Sequence, residues 1–67
     1  AGVPDICLPY PSNGCHALYI ELKRRDGKNK PTDKQKEWLA KLSSVGNATF
    51  VAYGWEQAWE IITNYLK

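Results

Sequence analysis

Glu21 and Lys23 stand two apart at the end of an apolar run, Tyr19-Ile20-Glu21-Leu22-Lys23, and Pro4-Asp5 lies sixteen residues before Glu21. Two carboxylates held close together repel unless something positive lies between them. A hard divalent cation such as Mg²⁺ answers that need, because it takes oxygens from one or two carboxylates, from a backbone carbonyl, from water and from a substrate phosphate. Lys23 follows Glu21 by two residues, so in a strand both project from one face. An ammonium there orients an attacking water and neutralises the charge that builds on a phosphorus centre. This is the minimum equipment for hydrolysing a phosphodiester. Taken singly, each part has a plainer explanation: Glu-x-Lys is the polar side of an alternating strand, and Asp after Pro is a turn residue.

What lifts the set is whether the chain brings Asp5 to Glu21. Asp5 to Leu8 reads as a short strand, ended by Pro9-Tyr10-Pro11 and the turn residues Ser12-Asn13-Gly14. Cys15 to Arg24 reads as a longer one, with Leu18, Ile20 and Leu22 on one face and Tyr19, Glu21 and Lys23 on the other. A two-residue Asn13-Gly14 loop would set Asp5 opposite Leu22. A three-residue Ser12-Asn13-Gly14 loop with a left-handed Gly14 sets it opposite Glu21. The second register is preferred because it sorts apolar from charged side chains, with Ile6 and Leu8 joining Leu18, Ile20 and Leu22. Neither register brings Cys7 to Cys15, so a disulfide between them is not expected.

A basic loop follows, Asp26-Gly27-Lys28-Asn29-Lys30-Pro31, and then a helix with a capping box, Thr32 as N-cap and Gln35 three residues on. Gln35 is placed to reach back toward the lysine or a phosphate. Trp38, Leu39, Leu42 and Val45 recur at helical spacing, and Gly46 is a stop. Ala48 to Tyr53 reads as a third strand. A last helix after Gly54 has the stripe Trp55, Ala58, Trp59, Ile62, Tyr65 and Leu66. The three tryptophans are expected in the core. Strand-helix-strand units cross over between parallel strands, so the second and third strands should be parallel. The fold class is α/β, bordering on α+β, as one small domain over residues 1–67. The pattern reads as lacking a helix and a first strand at its N-terminal side.

The size and charge fit. Sixty-seven residues make one domain with a thin core, and 43% hydrophobic against 24% charged residues is a globular composition rather than a disordered one. Net charge is only +2, but seven basic residues between Lys23 and Lys36 face two acids, a local positive field suited to phosphates. With two cysteines and one histidine, neither a disulfide scaffold nor a zinc cluster is expected. No signal or membrane-length segment is present, and the expected location is the cytoplasm.

Three blocks, Gly2-Val3-Pro4-Asp5-Ile6, Tyr19-Ile20-Glu21-Leu22-Lys23 and Gln35-Lys36-Glu37-Trp38-Leu39, together with Gly46 and Gly54-Trp55-Glu56-Gln57-Ala58, resemble the virus-type replication-repair nuclease (VRR-NUC) domain of the PD-(D/E)xK superfamily. The resemblance implies a restriction-endonuclease-like core and an Mg²⁺- or Mn²⁺-dependent endonuclease. The DNA would be branched or flapped replication and repair intermediates, in the manner of Holliday junction resolvases. It implies Asp5 and Glu21 as metal ligands with the Leu22 carbonyl, Lys23 as the catalytic lysine and Gln35 as its support. The basic residues Arg24, Arg25, Lys28, Lys30, Lys34 and Lys36 would meet DNA phosphates. Family members look like homodimers and carry a helix and strand ahead of the motif, so completion by another chain is a further expectation. The competing expectations are a non-catalytic basic DNA-binding module and an incomplete fragment that needs a partner.

Overall fold

The computed structural model describes residues 4–26 and 30–67. Its elements run β1 (Ile6–Leu8), β2 (Leu18–Lys23), α1 (Asp33–Ser44), β3 (Ala48–Tyr53) and α2 (Trp55–Leu66), in the order expected from the sequence. The sheet is mixed and three-stranded with β2 in the centre. β1 pairs antiparallel to β2 and β3 pairs parallel to it. The sequence pattern reads as α/β bordering on α+β, and the structure is a small mixed α+β fold.

The β1–β2 register is Ile6 to Ile20, Cys7 to Tyr19 and Leu8 to Leu18. Continued one step, it sets Asp5 opposite Glu21, the preferred alignment. The turn that delivers it differs from expectation. Ser12 and Cys15 exchange both backbone hydrogen bonds, at 3.1 and 2.9 Å, and between them Asn13 and Gly14 both have positive φ, 51° and 83°. That is a two-residue loop of the primed kind, which alone would have given the other register. One extra residue on the first strand restores it: three residues separate Leu8 from Ser12, but only two separate Cys15 from Leu18. Pro9 and Pro11 have no N–H to give a ladder, and Tyr10 N–H closes back on Leu8 O at 2.9 Å. The chain slips by one where it cannot pair anyway. The same prolines hold β1 to three residues, and β2 is shorter than expected because its length follows β3.

The even-numbered face of the sheet carries the core: Leu18, Ile20 and Ala52 with Ala58 and Tyr65 of α2, flanked by Ile6, Leu8, Leu22, Ile61 and Ile62. The hairpin loop fastens α2 at its far end. Ser12 Oγ and Asn13 Nδ2 donate to Tyr65 O at 2.6 and 3.2 Å, and Tyr65 Oη donates to Tyr10 O at 2.5 Å.

The tryptophans are not core, contrary to the sequence expectation: Trp38, Trp55 and Trp59 are 42%, 60% and 57% exposed. Three strands about 4.8 Å apart make a sheet no wider than one helix, which is about 10 Å across. Only the narrow stripe Ala58, Ile61, Ile62 and Tyr65 can meet it. Trp55, Trp59 and Leu66 lie roughly 60–100° around the helix axis from Ala58 at 3.6 residues per turn, and no other layer among the described residues covers them. Val45, expected in the α1 stripe, is the C-cap and 65% exposed.

Helix α1 begins as expected. Thr32 Oγ1 accepts Gln35 N–H and Gln35 Oε1 accepts Thr32 N–H, the reciprocal bonds of a capping box. It ends in a Schellman motif: Gly46 N–H donates to Ser43 O and Asn47 N–H to Leu42 O, both at 3.1 Å, with Gly46 at φ 94°. No helix among the described residues is long and apolar enough to cross a membrane.

Candidate active site

The odd-numbered face of the hairpin gathers the acids. Strand alternation puts Glu21 and Lys23 on the side away from the core. There the first turn of α1 reaches Glu21 through Gln35, and Glu21 is 3% exposed despite its charge. Gln35 Nε2 donates to Glu21 Oε2 at 2.9 Å, and Lys23 Nζ lies 3.7 Å from the same oxygen. Asp5, one residue ahead of β1, has its Oδ2 accepting Leu22 N–H at 2.9 Å. Asp5, Glu21, Lys23 and Gln35 are therefore brought together. The Gln35 amide goes to the acid rather than to the lysine or outward to a phosphate.

The electrostatics are those of a buried acid crowded by a second carboxylate. Burial first, and the adjacent Asp5 carboxylate second, push Glu21 above the usual carboxylate range, while Lys23 pulls it back. Among the described residues Glu21 Oε1 is buried with no hydrogen-bond partner, an arrangement native proteins seldom leave without a reason. A hard divalent cation between Asp5 and Glu21 would take that oxygen and relieve the repulsion. Among the described residues no group of three or more His, Cys, Asp and Glu side chains is poised on one metal, so the side-chain share is two carboxylates. That donor set fits Mg²⁺ or Mn²⁺ with waters and phosphate, and does not fit a structural zinc.

The basic residues are dispersed. Lys30, Lys34 and Lys36 are exposed, the last two flanking Gln35 at the start of α1. Arg24 faces Asp26 at 3.5 Å. Arg25 leaves the site altogether, lying over Gly54 and pairing with Glu56 of α2. Lys28 lies outside the described residues. Two groups that the sequence reading passed over share the face of the acids. Cys7 and Tyr19 pair directly across β1 and β2, and the neighbouring Cys7 thiol raises the Tyr19 phenol above its ordinary value. The signal was available, since both are odd-numbered residues on the same two strands as Asp5 and Glu21. Both cysteines are free thiols.

No protein-family model and no curated protein matches the chain. Among solved structures, a VRR_NUC domain protein aligns over 98% of this chain with 32% sequence identity and a TM-score of 0.93. The chain covers 53% of that protein, about half its length.

Proposed function

With the fold and sequence of a VRR-NUC-type domain as the premise, we propose that this chain carries the catalytic centre of a divalent-metal-dependent DNA endonuclease. The observation that supports it best is the buried Glu21, with one oxygen held by Gln35 and Lys23 and the other, beside Asp5, without a partner among the described residues. Asp5 and Glu21 would hold Mg²⁺ or Mn²⁺, with the Leu22 carbonyl as a third donor. The bound cation supplies Lewis acidity and a more acidic water. Lys23 would orient an attacking water and offset charge on the non-bridging oxygens. Gln35 keeps Glu21 in place.

The exposed Lys30, Lys34 and Lys36, with Arg24 and Lys28, would take the DNA backbone, giving binding that weakens steeply with salt and reads shape rather than sequence. Arg25 contributes less, being turned toward Glu56. Branched or flapped DNA is the proposed substrate class. The exposed Trp38, Trp55 and Trp59 favour association with a second chain, either a copy of this one or the remainder of a larger nuclease, in a cytoplasmic setting.

The test is incubation with branched and linear DNA in Mg²⁺, in Mn²⁺ or in EDTA, beside Lys23→Ala and Asp5→Asn. Cleavage should need the metal and fall by about 10²–10⁴-fold in each variant. Cleavage that survives EDTA, or both substitutions, would sink the mechanism. DNA binding without cleavage under either metal would favour a non-catalytic module.

A further inference from the structure

The amide of Gln35 is used at both ends. Oε1 accepts Thr32 N–H at 2.9 Å and Nε2 donates to Glu21 Oε2 at 2.9 Å, while the Gln35 backbone N–H donates to Thr32 Oγ1 at 3.2 Å. A carboxamide has one accepting end and one donating end. With the accepting end committed to Thr32, only the NH₂ end can face Glu21. Turned over, the amide would set oxygen against carboxylate and NH₂ against N–H, exchanging two hydrogen bonds for two repulsions.

An ordinary capping box ends at the N-cap N–H, and Glu serves it as well as Gln. Here the box continues across fourteen residues to the buried acid. Glu at position 35 would keep the cap and lose the donor, so the residue type at 35 answers to Glu21 and not to the helix alone. We propose that Thr32 is a positioning residue of the active site, acting through Gln35 to hold Glu21 by Oε2 so that Oε1 stays free for the cation. Thr32 touches neither carboxylate. Its hydroxyl fixes the backbone of the residue that does, and its N–H, which every substitution keeps, orients the amide, so the variants test the hydroxyl's hold. The role rests on the nuclease reading above and assigns the capping box to it.

The experiment compares wild type with Thr32→Ala, Thr32→Ser and Thr32→Gly, the last because glycine costs a helix N-terminus little and keeps the fold if alanine does not. Mn²⁺ affinity by calorimetry, the Gln35 side-chain NH₂ resonances in labelled protein, and kcat and KM on DNA are the readouts. Thr32→Ala and Thr32→Gly should weaken Mn²⁺ binding by about 10-fold, the scale of lost support behind a metal ligand. They should also shift the Gln35 NH₂ signals and lower kcat with KM little changed, while Thr32→Ser behaves as wild type. In a Gln35→Ala background, Thr32→Ala should add nothing to the loss of Mn²⁺ affinity. Wild-type Mn²⁺ affinity and unmoved NH₂ signals in Thr32→Gly would overturn the positioning role alone, as would additive losses in the double variant. A wild-type protein that neither binds Mn²⁺ nor cleaves would overturn the nuclease reading and this role with it.

Discussion

Glu21 is the residue on which the site's energetics turn. Its carboxyl group is buried and faces Asp5, so its folded-state pKa is raised. Below about 4.5, the ordinary value, folded and unfolded chains both hold the proton. As pH rises past that point the unfolded chain releases it first, the folded state binds more protons, and stability falls until Glu21 ionises in the folded protein too. The metal-free protein should thus be less stable at neutral pH than this group would allow at pH 4. Glu21→Gln should remove that slope, stabilising the metal-free protein at pH 7 while abolishing Mn²⁺ binding. Urea unfolding in EDTA across pH 4–8 checks it, and a variant less stable than wild type at pH 7 would refute the account. Burial of the acid is also what the sequence does not display. Alternation puts Glu21 on the polar face, and the long-range approach of Gln35 from the first turn of α1 is not visible in that alternation.

At the scale of elements, the ends of α1 are where sequence and structure agree most closely, because caps are written in local chemistry. Thr32, Gln35 and Gly46 each satisfy backbone groups that the helix itself cannot. Gly46→Ala should cost about 1–2 kcal/mol, since φ 94° suits glycine and few other residues. An added Cβ would also meet His16 Cδ2 at 2.7 Å. His16→Ala in the same chain should recover only the contact, leaving the backbone strain; full recovery in urea midpoints would reverse that division. The hairpin shows both sides of legibility. Sorting apolar from charged residues gave Asp5 its place opposite Glu21, because one face of the strand pair is buried and a slip would expose it. The size of the loop was not legible, because two prolines absorb a residue without pairing. The apolar stripe of α2 was read too wide for a related reason. Periodicity reports which residues are apolar, not how broad a surface awaits them.

For the whole molecule, 67 residues leave a small core of Leu18, Ile20, Ala52, Ala58 and Tyr65, and little stability is to be had from burial alone. A cation bound between Asp5 and Glu21 would then matter to the fold as well as to the chemistry. At a hundredfold excess over its Kd, a ligand that binds only the folded state adds about 2.7 kcal/mol. In a domain of this size that shifts Tm by roughly 4–8 °C per kcal/mol. Thermal melts with and without Mn²⁺ should show the rise, and Asp5→Asn should lose it; an equal rise in the variant would place the ion elsewhere. The hold on Asp5 has one more consequence. Leu22 N–H donates to the Asp5 side chain, and β1 behind it is three residues long. The hydrogen on that nitrogen trades with deuterated solvent when the carboxylate lets go, even while the β2–β3 ladder stays closed. Leu22 is in effect a clock inside the protein, counting how often the first acid of the site leaves its post.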